Sequence, residues 1–127
     1  NYVVNGNWNL ANNTNFSGDA TIFVTGNLVL PQNFNFNGKF LIIAGGNIDG
    51  SGSNNNNFSN SILLAYGNIE LKNNLNINGS MMAGGNVELR NNANVNYDSS
   101  LALHFGLQTS FSGGAGGTAV SGIWRSN

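Results

Sequence analysis

The tripeptide Gly-Asn-apolar recurs five times in this chain, at Gly6-Asn7-Trp8, Gly26-Asn27-Leu28, Gly46-Asn47-Ile48, Gly67-Asn68-Ile69 and Gly85-Asn86-Val87. The intervals are 20, 20, 21 and 18 residues. Self-similarity at a period of about 20 residues marks a repeat architecture in which each repeat is one supersecondary unit. A second mark falls 12 residues after the first glycine, at Gly18, Gly38, Gly79 and, substituted, Tyr97. In the third repeat it comes late, on Asn60, an excess that matches the polar insertion Ser51-Gly52-Ser53-Asn54-Asn55-Asn56-Asn57.

Each repeat reads as three short strands. The first is an apolar run such as Phe40-Leu41-Ile42-Ile43-Ala44. The second alternates, as in Asn68-Ile69-Glu70-Leu71-Lys72, and the third alternates again, as in Leu75-Asn76-Ile77-Asn78. Period two over such lengths means strand rather than helix. One turn of this size cannot bury its own apolar face, but stacked turns can, at about 4.8 Å per turn. The expected fold is therefore all-β, a single-stranded parallel β-solenoid of about five turns. The predicted inward columns are Trp8, Leu28, Ile48, Ile69 and Val87; Leu10, Leu30, Leu71 and Leu89 with Gly50 as a gap; and Phe16, Phe36, Phe58, Ile77 and Val95. The asparagines after the glycines form a further ladder, with amides bonding to the turns above and below. The glycines before them are expected to supply a positive φ at the corner.

Composition sets the boundaries of function. The 127 residues fit one domain, with 1–97 as repeats and 98–127 as a terminal piece of the same domain. Within that piece, residues 100–105 suggest a sixth strand, 112–117 a Gly-rich connector and 119–125 a cap over the open strand edges. There are 28 Asn and 18 Gly, and only 7% of residues are charged, against about 25% in ordinary soluble chains. Four Lys and Arg at net charge −1 cannot build the basic patch that nucleic acid requires. With no Cys there is no disulfide framework or thiol nucleophile. No apolar run reaches the roughly 18 residues of a membrane span, and no signal peptide is visible. The chain opens at Asn1 without an initiator Met and reads as a mature or trimmed product. Membrane attachment is expected only through a segment outside it.

One wall breaks the alternation. In the first strand both parities are apolar: Phe23, Ile43, Leu64 and Met82 on one, Ile22, Ile42, Leu63 and Met81 on the other. A continuous apolar run means burial on both faces. The outward set therefore lies under the C-terminal tail, an upstream helix or another subunit, and these eight residues are the interface candidates.

Chemistry is thin. His104 is the only histidine, set in the apolar Leu103-His104-Phe105, and a structural role is expected for it. Asp49, Glu70 and Glu88 share one outward repeat position and could in principle hold Ca²⁺ or act as paired carboxylates. Lys72 and Arg90 occupy the next outward position, so a salt ladder is the favoured reading. No enzyme activity, cofactor or metal is expected. Outward Asn15, Asn35, Asn76 and Asn94 form one row and Ser17, Asn37, Asn78 and Asn96 the next, a neutral amide surface suited to solubility, glycans or ordered water.

The Gly-Asn-apolar repeats, the Asn-Gly corners and the tail Val120-Ser121-Gly122-Ile123-Trp124-Arg125 together resemble the β-solenoid C-terminal domain of type IV pilus-associated, prepilin-like proteins. In that family a hydrophobic helix precedes the solenoid and anchors the subunit. Bactofilins share the architecture more distantly, with more charge and far less Asn. The resemblance implies a structural subunit of a pilus-like or surface filament, outside a bacterial cell, whose partners are other subunits or further copies of itself. The alternatives are a carbohydrate- or surface-binding adhesin module using Asn35, Asn37, Asn76, Asn78, Asn94 and Asn96, or a self-polymerising cytoskeletal solenoid.

Overall fold

The computed structural model describes residues 1–52, 55–98 and 100–106. They wind into a parallel β-solenoid of about five turns. In chain order the strands are β1 (Tyr2–Val4), β2 (Trp8–Asn9), β3 (Thr14–Val24), β4 (Leu28–Val29), β5 (Asn33–Ala44), β6 (Ile48–Gly50), β7 (Asn55–Ala65), β8 (Ile69–Lys72), β9 (Leu75–Ala83), β10 (Val87–Arg90) and β11 (Ala93–Tyr97). The odd-numbered strands form one six-stranded parallel sheet and the even-numbered strands a second of five. One short helix, α1 (Ser100–His104), follows. It occupies the segment where a sixth strand was expected. Residues 112–117 and 119–125, read as connector and cap, lie outside the described residues.

The expected three strands per turn become two. The third strand of one repeat and the first strand of the next run on as a single strand, for instance Asn33–Ala44. The chain bends within these long strands at Gly18 and Gly38, where φ is 128° and 130°. L-residues seldom adopt that region. The two glycines lie in register. Gly79, assigned to the same mark, is displaced: it pairs with Ser61, which pairs with Phe40, two residues beyond Gly38. The register shifts at Phe36/Lys39 and again at Phe58/Ser61 account for this.

The predicted columns stack as read. Trp8, Leu28, Ile48, Ile69 and Val87 are successive partners, and Gly50 stands against Leu71, which stands against Leu89. Phe16, Phe36, Phe58, Ile77 and Val95 form the third column. Its rings stack with centroids 5.0 Å apart between Phe16 and Phe36 and 5.4 Å between Phe36 and Phe58. Phe34 and Phe40 meet Phe36 edge-on, the other favourable aromatic geometry.

The corner ladder forms, through the side-chain oxygen of each Asn and a backbone donor of the next turn. Each Asn accepts through Oδ1 the backbone N–H of the Asn one turn on: Asn27 to Asn7, Asn47 to Asn27, Asn68 to Asn47 and Asn86 to Asn68, all at 2.8 Å. Of the glycines that precede them only Gly6 has a positive φ. Gly26, Gly46, Gly67 and Gly85 are glycine for room, since a Cβ at any of them would run into the Oδ1 of the previous turn's Asn. The opposite corner uses Asn itself in the left-handed region, at Asn13, Asn73, Asn74, Asn91 and Asn92, with φ from 57° to 65°. Asn tolerates that region better than other side-chain-bearing residues. Asn56, fully buried, donates to the carbonyls of Lys72 (2.7 Å) and Asn73 (3.0 Å).

Candidate functional site

The doubly apolar wall resolves into two layers. Ile22, Ile42, Leu63 and Met81 face the solenoid interior and belong to the main core. As core residues they leave the set of interface candidates. Phe23, Ile43, Leu64 and Met82 face outward, continuing Val3 in one column. A second apolar cluster covers part of that face from within the chain. Leu101 of α1 packs with Leu41, Ile62 and Leu64, and Ile43, Met82, Ala102 and Phe105 pack around them. Leu64 is 2% exposed, whereas Phe23 is 37% and Val3 65% exposed. The wall is sealed at its centre and open toward the N-terminal turns.

Polar contacts hold α1 at both ends. Asp98 Oδ1 accepts the Ser100 N–H (3.0 Å) and hydroxyl (2.6 Å), which caps the first turn. Asn78 donates to Asp98 Oδ2 at 3.0 Å. At the far end His104 Nε2 lies 2.8 Å from Asp19 Oδ2, across 85 residues of sequence. The lone histidine thus ties the helix to the second turn, in keeping with a structural role. Gly79 leaves space for the helix, because a Cβ there would press on Leu101 Cδ1 as well as on the Ser61 carbonyl. The Ser100 hydroxyl, the Asn78 amide and the Ser100 N–H, with the Lys39 charge nearby, hold the Asp98 carboxyl below its ordinary 3.8. A depressed carboxyl contributes stability above its unfolded value, and that contribution fades as pH falls through the folded value. The stability difference between wild type and Asp98→Ala, measured by urea melts across a pH series, is therefore expected to be constant above 3.8 and to shrink below it. A difference that stays constant down through the acid range would remove Asp98 from the capping role.

On the opposite sheet Asp49, Glu70 and Glu88 stack in register, as do Lys72 and Arg90. Arg90 bridges Glu70 at 3.1 Å and Glu88 at 3.0 Å. Asp49 turns aside to accept the Ser51 N–H at 2.9 Å. The row is a salt ladder at its C-terminal end. Among the described residues no three His, Asp or Glu side chains converge as metal ligands would.

The remaining wall carries amides. Asn35 donates to Asn15 and Asn57 to Asn35, both at 2.8 Å, and Asn94 donates to Asn76 at 3.3 Å. In the next row Asn78 donates to Asn60 at 2.7 Å, Asn96 donates to Asn78, and Ser59 donates to Asn37 at 3.3 Å. A third row, which the sequence reading did not single out, links Asn13, Asn33, Asn55, Asn74 and Asn92. Its signal was the Asn-Asn pairs just before Thr14, Leu75 and Ala93, with Asn33 and Asn55 at the equivalent places. Two shallow troughs run between these rows in the C-terminal turns. One, of about 510 Å³, is lined by Asn74, Asn76, Asn92 and Asn94 among others. The other, of about 200 Å³, is lined by Asn57, Ser59, Asn76, Asn78, Asn94 and Asn96 over Phe58 and Ile77.

These features define a β-solenoid with one internally strapped apolar wall, one salt-laddered wall and one amide wall. No family model, curated protein or solved structure matches the chain.

Proposed function

We propose that this chain is a non-enzymatic structural module of an extracellular, pilus-like surface filament. It joins its assembly, whether to other subunits or to copies of itself, through the apolar strip that α1 leaves open. The observation that carries this reading is the uneven cover of the outer wall. Leu64 is buried under α1, while Val3 and Phe23 in the same column stand in water. An apolar strip continuous with a covered one is an interaction site or an aggregation hazard. The rigid, laddered rod suits a structural part, and the single histidine is already engaged with Asp19.

Charged substitution separates the two layers. Ile42→Lys places an ammonium in the core and is expected to unfold the domain. Phe23→Lys is expected to leave the melt within a few degrees of wild type, because the site is already open to solvent. In the producing cell the same Phe23→Lys should abolish surface filaments seen by electron microscopy. Normal filaments carrying folded Phe23→Lys protein would overturn the docking strip.

A further inference from the structure

The amide wall lies on the other side of the Gly18–Gly38 corner from the apolar strip, so what it binds is independent of the docking proposal. Three features of it point to a ligand. First, the amides are held in place. Each laddered Asn spends one N–H or one lone pair on its neighbour in the next turn, and the side chain keeps further capacity directed outward. Second, the rows along these troughs contain only Asn and Ser, from Asn15, Asn35 and Asn57 to Asn94 and from Ser17 and Asn37 to Asn96. Third, the row that starts at Asn15 is broken at one point. Asn57 and Asn76 are in register, yet Asn57 donates back to Asn35 and Asn76 only accepts, from Asn94. Among the described residues the Asn76 NH₂ has no acceptor, and Asn76 lines both troughs.

We infer that this wall binds an uncharged polysaccharide chain lying in the troughs parallel to the rod axis, with the Asn76 amide at its centre. The repeat fits that ligand. Amides succeed one another along the axis every 4.8 Å or so, close to the advance of one pyranose residue in an extended 1,4-linked chain. Neighbouring rows stand two residues apart on a strand, roughly 6.6 Å, which leaves a slot for a sugar ring whose hydroxyls reach amides on both sides. Hydroxyls donate and accept, as do amides, so no charge is needed. The trough rows offer none, and an ionic polymer would find no counter-charge in them. Asp98, at the edge of the second row, is already held by Asn78 and Ser100.

The test uses the chain as it stands, with particles of cellulose and of chitin as probes and polygalacturonate beads as the charged comparison. Depletion from solution gives the affinity. The wild-type chain should bind at least one neutral polymer, with little change between low and high salt, and should ignore polygalacturonate. Asn76→Asp retains the oxygen that accepts from Asn94 and replaces the free NH₂ with a carboxylate oxygen, which cannot donate. It should melt like wild type and bind about tenfold more weakly. Asn94→Ala, in the exposed last turn, provides a second variant with the same expected loss should the first one fold poorly. Glu88→Gln, on the opposite sheet, should leave binding unchanged. The inference is overturned if neither neutral polymer depletes the wild-type chain, if both Asn variants bind as wild type does, or if only the charged polymer binds. Shaping of ice crystals without polysaccharide binding would likewise overturn it and reassign the wall to ordered water.

Discussion

Leu71→Asp is expected to abolish the cooperative unfolding transition. Leu71 is fully buried in the central stack between Gly50 and Leu89. The substitution would remove an apolar side chain worth about 1.5–3 kcal/mol of burial. It would also place a carboxylate where Ile69 and Ile48 leave no polar neighbour in the adjoining column. An unpaired buried charge costs several kcal/mol more. A domain of this size has about 5–15 kcal/mol in total, so the sum is enough to unfold it. Because each turn contacts mainly its neighbours, loss of a middle turn separates the two ends of the rod. Leu89→Asp, in the same column but half-buried in the last turn, should cost distinctly less. Circular dichroism melts of the two variants check both statements, and equal, unperturbed melts would show that the column does not carry the core.

Gly67→Ala is the second large effect, and it runs against the usual reason for conserving a glycine's freedom. Gly67 does not occupy the left-handed region, so backbone preference alone would make alanine neutral or slightly stabilising. The structure places the new Cβ against Asn47 Oδ1, with the Gly46 carbonyl oxygen 3.1 Å away. Asn47 Oδ1 is the atom that accepts the Asn68 N–H at 2.8 Å. Relieving the clash means turning the Asn47 amide out of the ladder, which leaves a backbone donor without its partner. Overpacking of this kind costs about 1–3 kcal/mol, and the lost hydrogen bond adds about 1 kcal/mol. The clash and the ladder share one atom, so the two mutations should not add. Asn47→Ala alone should destabilise, and Gly67→Ala placed on that background should cost much less than it does on wild type. Additive losses from urea melts would show that Gly67 is there for some other reason.

Much of this structure was written in the residue pattern. The Gly-Asn spacing gave the pitch, and period-two alternation gave the inward columns down to the single gap at Gly50. Both are properties of a strand that alternates faces and a repeat that returns to the same place, so neither needs knowledge of distant contacts. The salt ladder followed for the same reason: Glu70, Glu88 and Arg90 share outward positions once the period is known. The amide rows were legible for that reason too, apart from the row beginning at Asn13. Its members sit at the corners where the long strands begin, with Asn13, Asn74 and Asn92 in the left-handed conformation, outside the alternation that revealed the others.

The tertiary structure decided what periodicity cannot express. Which parity of the apolar wall faces inward depends on how the chain rounds the corner at Gly38, and there the register slips by single residues. The role of the Gly-Asn glycines was misread because room is a property of the neighbouring turn; the sequence neighbours carry no trace of the Asn oxygen that fills it. The segment 100–105 lost its expected strand because a six-residue stretch has no period long enough to separate helix from strand. What settled it was a partner: an outer wall of Leu41, Ile62 and Leu64 that a short helix can cover with Leu101, fixed by Asp98 at one end and by the His104–Asp19 contact at the other. Local pattern determined the rod, since each turn repeats one local rule. The cover over its wall rested on contacts between residues up to 85 positions apart, which only the folded chain brings together.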